Sequence, residues 1–263
     1  MSEPTLEVES TGAVTWVWMN RPAVHNALNE ALIDELAETF LDLGEDPAVR
    51  VIVLSGRGKS FSAGGDIEYM KRQGEAPRAE NLATARGLAE TFRIIATCPR
   101  PTIARVNGAA MGGGLGLVAA CDIALASSGA VFAASEVRLG LIPSTIAPYV
   151  VRAIGPRQAS RLFVTGERFD AAYAHRIGLV HEVTEAEQLD ARVQAVIDNL
   201  LMGGPGAQTA AKSMIEAIAE RPITRELIET TAMAIADRRS EPEAIEGLSA
   251  FLEKRPADWM PEK

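Results

Sequence analysis

Two features of this chain could do chemistry: a crowd of glycines between positions 108 and 116, and a glutamate, Glu136, about twenty residues further on. The glycines sit in the run Gly108-Ala109-Ala110-Met111-Gly112-Gly113-Gly114-Leu115-Gly116, entered by the β-branched stretch at 103–106 and left by Leu117-Val118-Ala119-Ala120. Glycines this dense give up backbone entropy, so the chain needs positive φ angles or a close approach to its backbone there. The alanine-rich run that follows has helical composition. It places the glycines at a helix N-terminus, where free N–H groups and the macrodipole favour negative charge. The chemistry implied is an anion or oxyanion site built from backbone. The alternative is a tight strand-to-helix turn that needs close packing and no ligand.

A second glycine loop of matching design lies upstream, in Ser60-Phe61-Ser62-Ala63-Gly64-Gly65-Asp66-Ile67, with Asp66 placed to favour the first turn of a helix. Two strand–glycine–helix junctions suggest two backbone donors converging on one oxygen, the architecture that stabilises an enolate or a tetrahedral intermediate. A rival reading takes Gly114-Leu115-Gly116-Leu117-Val118-Ala119 as a dinucleotide fingerprint with Glu136 as its acidic partner. Against it, the strand expected before these glycines ends near Val106, and a helix through Leu117 and Val118 leaves no separate turn at Gly116.

The elements that must position these residues follow an α/β rhythm, with strand, helix and glycine loop recurring roughly every fifty residues. Residues 6–10 and 14–19 read as an N-terminal hairpin around Thr11-Gly12. Leu28, Leu32, Ile33, Leu36, Phe40 and Leu43 mark one face of a helix that Gly44 is expected to stop. Residues 51–54 read as a buried strand opening a loop over 55–65, and polar residues 71–78 as the mobile segment of the first half. Leu82 to Ile95 carry a second amphipathic helix, ended by Cys98-Pro99-Arg100-Pro101, and residues 123–126 and 130–133 are short strands. Helical patterns dominate after Ser144, with breaks at Gly155-Pro156, Gly178, Gly203-Gly204-Pro205 and Arg221-Pro222. The boundary is set at 203: residues 1–203 form the core, and 204–263 an all-helical module.

Composition narrows the class. The 263 residues, 47% hydrophobic and 23% charged, suit a soluble globular protein able to bury a substantial core. A formal net charge of −9 without a basic block argues against nucleic acid as a partner. Cys98 and Cys121 have no metal-ligand or redox spacing and read as buried thiols. The acidic start Met1-Ser2-Glu3-Pro4 is not of signal-peptide type, and no apolar run is long enough to span a bilayer, so a cytoplasmic location is expected. His25, His175 and His181 suit structural roles, and Trp16 and Trp18 alternate on a strand as packing residues.

The two glycine loops, together with Glu136-Val137-Arg138-Leu139-Gly140-Leu141-Ile142-Pro143, resemble the enoyl-CoA hydratase/isomerase (crotonase) superfamily. The resemblance extends over almost the whole chain, from Asn20-Arg21-Pro22 and Asn26-Ala27-Leu28 to Glu246-Gly247 and residues 250–255. It implies a spiral of ββα units, a C-terminal helical module that builds homotrimers or stacked hexamers, and an acyl-CoA thioester as substrate with no further cofactor and no metal. It further implies that the N–H groups of Gly65 and Gly113 bind the thioester oxygen, and that Ala63, Gly64, Asp66, Ile67, Glu68 and Gly112 line the coenzyme A channel. Lys254 and Phe251 would lie near the adenine. Tyr69, Arg72 and Arg78 would sit in or near a segment folded over the acyl pocket, where an arginine could receive a second carboxylate.

Glu136 matches one of the two glutamates of the family's hydratases, and Gly116 stands where the other is expected. That departure leaves isomerisation with one glutamate as the rival to hydration. The run from Gly114 to Val118 and from Glu136 to Val151 is similar to bacterial 3-methylglutaconyl-CoA and isohexenylglutaconyl-CoA hydratases, which act in leucine and acyclic-terpene breakdown. Other crotonase-type acyl-CoA chemistries, and a non-catalytic binding protein, complete the alternatives.

Overall fold

A computed structural model describes residues 4–261; residues 1–3, part of the acidic start discussed above, lie outside it. The chain runs β1 (Leu6–Thr11), β2 (Val14–Met19), α1 (Glu30–Glu45), β3 (Val51–Gly56), β4 (Ser60–Ser62), α2 (Ile67–Glu75), α3 (Arg78–Thr97), β5 (Thr102–Val106), β6 (Ala109–Met111) and α4 (Gly113–Ala120). It continues through β7 (Ile123–Ser127), β8 (Val131–Ala133), a short 3-10 turn (Glu136–Leu139), α5 (Ala147–Thr165), β9 (Phe169–Asp170), α6 (Ala171–Arg176), β10 (Glu182–Thr184) and α7 (Leu189–Leu201). Three helices close it: α8 (Pro205–Ile218), α9 (Arg225–Ser240) and α10 (Pro242–Glu253).

Two sheets result. The larger has the order β1-β2-β3-β5-β7-β10, parallel throughout except for the β1–β2 hairpin. Its central strand β3 is buried on both faces, which is why it reads as an unbroken apolar run rather than an alternation. One face carries the main core, with Leu32, Leu36 and Phe40 of α1 and Phe92 and Ile95 of α3; α7 covers the other with Val193 and Ile197. The smaller sheet has the order β4-β6-β8-β9, with β4, β6 and β8 parallel. Each strand of that trio is three residues long. They are spaced along the chain at the pitch of one ββα unit, so each turn of the spiral contributes one strand to each sheet.

Several expectations are corrected. Gly44 does not stop α1: it lies inside the last turn, where an added Cβ would press on Pro99 at 3.1 Å, and the cap is Asp46. Residues 71–75 are the second half of α2 rather than a mobile loop, because Asp66 caps that helix firmly, and Arg78 begins α3. The loop drawn over 55–65 contains β4. Gly155-Pro156 kinks α5 instead of ending it, with Gly155 at φ 74°. A strand does precede the glycine cluster directly, since β6 ends at Met111; but Gly114 and Gly116 lie inside α4, so they cannot form the phosphate turn of a dinucleotide fingerprint.

Among the described residues no helix is long and apolar enough to cross a membrane. Cys98 and Cys121 are both buried free thiols, and desolvation pushes both above the ordinary thiol pKa.

Candidate active site

Three adjacent parallel strands release their chains on one side, and each release carries a residue singled out above. After β4 comes Gly65, after β6 Gly113, and after β8 Glu136. The crevice beyond the carboxyl ends of parallel strands is the usual ligand position in such sheets. The register brings the exits level: Ser62 pairs with Ala110, and Met111 with Ala133.

Both glycine loops are held from behind. In the first, Gly64 has φ 88°, and an added Cβ there would lie 2.6 Å from the Met111 carbonyl and 3.4 Å from the Gly113 nitrogen. Only glycine combines that conformation with that approach. The 25–28 segment runs alongside: Ala63 N–H donates to the His25 carbonyl, Leu28 N–H to the Gly64 carbonyl, and Asp66 N–H to the Leu28 carbonyl, at 2.7–2.9 Å. In the second loop, Gly112 has φ 47° and donates to the Ala133 carbonyl at 2.8 Å, which turns the chain into α4. Every residue of α4 except Gly113 is buried.

The N–H groups of Gly65 and Gly113 are left without a hydrogen-bond acceptor among the described residues, and both glycines reach solvent. Leu28 packs against Gly113 and Met70 against Gly65, so the two donors are flanked by apolar side chains.

Glu136 opens the 3-10 turn, whose N-cap residue Ser135 makes no side-chain capping bond. Its carboxylate lies over Gly112, where an added Cβ would meet Oε1 at 3.1 Å. Oε2 is shielded from solvent and has no hydrogen-bond partner among the described residues. Desolvation raises the carboxyl's pKa above the ordinary glutamate value, and the bond from its own backbone N–H only partly offsets this. A buried acceptor without a donor is costly, and such groups mark sites where a partner arrives from outside.

Gly116 is sealed. One turn along α4 from Gly112, it is packed beneath Ile146 and Phe92, both essentially inaccessible; an added Cβ would lie 2.9 Å from the Ile146 Cβ and the Phe92 ring. The position is therefore closed as well as lacking a carboxylate, and nothing in the sequence connected Ile146 with it.

The remaining expected residues divide. Asp66 caps α2, accepting from the N–H groups of Glu68 and Tyr69 and from Arg21 at 3.1 Å. Partial burial opposes its ionisation, but the Tyr69 N–H and Arg21 outweigh it and hold its pKa below the usual value. Ala63 in the loop, and Ile67 and Glu68 at the start of α2, are exposed. Tyr69 is buried, and the Arg72 guanidinium sits 6.0 Å from its ring. Phe251 lies on α10, 81% exposed, and Lys254 is the residue that caps that helix's C-terminus. His25 pairs with Ser60, and His181 Nδ1 accepts from the Ala124 N–H at 3.0 Å. Trp16 and Trp18 stack on each other at 5.3 Å. A cavity of about 1050 Å³ lies elsewhere, between α8 and the segment following α4, and includes none of Gly65, Gly113 or Glu136.

The fold is a spiral of ββα units with two free backbone N–H groups and a shielded carboxylate at its strand exits, and comparison with known proteins identifies the family. Residues 9–262 match the family model described as enoyl-CoA hydratase/isomerase. The chain is 34% identical over 258 residues to a crotonyl-CoA hydratase of Syntrophomonas wolfei, covering 97% of this chain and 96% of that protein. It is 36% identical to the human mitochondrial enoyl-CoA hydratase domain-containing protein 2, over 92% of this chain and 84% of that one. The crystal structure of an enoyl-CoA hydratase from Shewanella pealeana superposes with a TM-score of 0.94 at 38% identity, covering 97% of this chain and 96% of that one. This chain belongs to the enoyl-CoA hydratase/isomerase family, and it is an enzyme of the crotonase fold.

Proposed function

We propose that the enzyme adds water across the 2,3 double bond of a 2-enoyl-CoA thioester, with a branched glutaconyl-CoA such as 3-methylglutaconyl-CoA as the leading substrate. The observation that supports this reading is the partly buried Glu136 carboxylate, one oxygen of which has no partner, at a strand exit adjacent to those that carry the two free backbone donors.

In this reading the thioester oxygen accepts from the N–H groups of Gly65 and Gly113. Water attacks C3, its proton passes to Glu136, and the π electrons move onto the thioester oxygen as an enolate. Glu136 then returns the proton to C2. Removing one such donor typically costs about 3–4 kcal/mol of transition-state stabilisation, so the pair is the larger electrostatic contribution. Burial raises the pKa of Glu136, the direction required of a carboxyl that must give back a proton as well as take one. Loop residues 63–68 and Gly112 would line the coenzyme A channel.

Isomerisation is the second reading, and the sealed position 116 favours it. Moving a double bond requires only that one carboxylate lift a proton from C2 of a 3-enoyl thioester and deliver it to C4. A panel of crotonyl-, 3-methylglutaconyl- and 3-enoyl-CoA thioesters, followed for both water addition and double-bond movement, separates the two. Hydration of the glutaconyl thioester above the others is the expected result. Brisk isomerisation with no hydration of any member would overturn it.

A further inference from the structure

We propose that Ser62 is a positioning residue that holds both backbone donors of the oxyanion site in one geometry; this rests on the reading of Gly65 and Gly113 as those donors. Ser62 is wholly buried at the end of β4 and touches neither solvent nor Glu136. Its hydroxyl donates to the Asn26 carbonyl at 2.8 Å and accepts from the Gly64 N–H at 3.2 Å. The second bond closes a two-residue turn on the glycine at φ 88°, so it sets the direction of the next N–H, that of Gly65. The β4–β6 register skips a residue between Ser60 and Ser62, and such an irregularity re-aims the chain that leaves the strand.

The same residue braces the other donor. An added Cβ on Gly114 would lie 2.6 Å from the Ser62 carbonyl and 2.9 Å from its Cβ, so Ser62 is seated against the residue that follows Gly113. Its anchor is rigid: Asn26 is wholly buried, donates to the carbonyls of Arg57, Ser60 and Phe61, and accepts from the Arg21 N–H. One side chain thus ties the Gly65 loop to a fixed strut while its backbone packs on the first turn of α4.

The test compares Ser62→Ala and Ser62→Cys with Ser127→Ala. Ser127 is a control of the same kind, a buried strand-end serine whose hydroxyl accepts from the N–H two residues on, at 3.3 Å from Gly129. The primary readout is the red shift of 2,4-hexadienoyl-CoA absorbance on binding, because polarisation of the thioester carbonyl lowers the transition energy of the conjugated system. We expect Ser62→Ala to lose most of the red shift, with kcat down about tenfold to a hundredfold and KM within about threefold, part of the full cost of a lost donor. Ser62→Cys should fall between alanine and wild type, and Ser127→Ala should lose thermal stability without losing the shift. A full red shift and unchanged kcat in Ser62→Ala, or parallel losses in Ser127→Ala, would overturn the positioning role. A wild-type enzyme that shows no red shift would instead overturn the oxyanion reading on which it rests.

Discussion

At the scale of single residues, the proposed chemistry turns on Glu136 and Gly116. Glu136 is shielded, has one oxygen without a partner, and owes its raised pKa to desolvation with no charged neighbour to offset it. Replacing it with glutamine should lower turnover about a hundred- to ten-thousandfold, the usual worth of a positioned acid–base group, while coenzyme A binding persists. Retained hydration would remove Glu136 from the mechanism. The same substitution should raise the melting temperature at neutral pH. A carboxyl whose folded pKa exceeds its unfolded value binds more protons in the native state, so stability falls as pH rises from the unfolded pKa through the folded one. Glutamine removes that loss. Activity runs the other way, since the ionised form takes the proton, and should decline as pH falls through a value above the ordinary glutamate range. Gly116 yields a second test. Glutamate there would collide with Ile146 and Phe92, and overpacking of this kind costs about 1–3 kcal/mol or more. Gly116→Glu should therefore melt early, and adding Ile146→Ala should restore part of the loss. Additive melting shifts in the double variant would show that Ile146 does not seal the position.

The elements were unequally legible in the sequence, for physical reasons. The β1–β2 hairpin, the buried strand β3 and helices α1 and α3 carry enough periodic apolar residues to be recognised, and they form the larger sheet and its cover. In the smaller sheet β8 is legible, but β4 and β6 are not. Ala109-Ala110-Met111 and Ser60-Phe61-Ser62 are three residues long, have glycine one or two residues beyond each end, and rely on pairing with each other rather than on their own pattern. They are also the strands whose exits lead to Gly65 and Gly113, so the candidate residues are more legible in the sequence than the strands that position them. The missed half of α2 has a different cause. Its composition is polar, and its stability comes from Asp66, which accepts from two backbone N–H groups and pairs with Arg21, itself bonded to the Ala27 carbonyl. Loss of such a cap costs about 0.5–2 kcal/mol. Asp66→Ala should destabilise the protein within that range and Asp66→Asn by less, as thermal melts would show. Because the folded pKa of Asp66 is depressed, its contribution is present above the unfolded pKa and is lost as pH falls through the folded one. An Asp66→Ala variant whose stability deficit persists undiminished in acid would contradict this.

At the scale of the whole molecule, the C-terminal helices lack a core of their own. No residue of α8 is buried, α9 buries only Leu227, and α10 only Ala250. The module is fastened at a few polar points. Lys212 of α8 pairs with Asp122 at 2.5 Å and donates to the Arg100 carbonyl, while Arg50 donates to the carbonyls of Leu201, Gly203 and Trp259. Large apolar side chains meanwhile face outward, among them Ile228, Met233 and Ile235 of α9 and Ile245, Leu248, Phe251 and Leu252 of α10. A single copy exposing this much apolar surface gains by burying it against another copy, at roughly 25 cal/mol per Å² covered. We predict a homotrimer or a hexamer of two trimers, with Phe251 and Leu252, 81% and 79% exposed in one chain, buried between copies. Phe251→Lys combined with Leu252→Lys removes none of the polar fastenings named above. It should shift the protein to monomers in sedimentation velocity while far-ultraviolet circular dichroism stays unchanged. The wild type should also show a melting temperature that rises with protein concentration, as required when association stabilises the folded state. A wild-type protein that sediments as a monomer at micromolar concentration would refute the assembly, and the exposed faces of α9 and α10 would then need another partner.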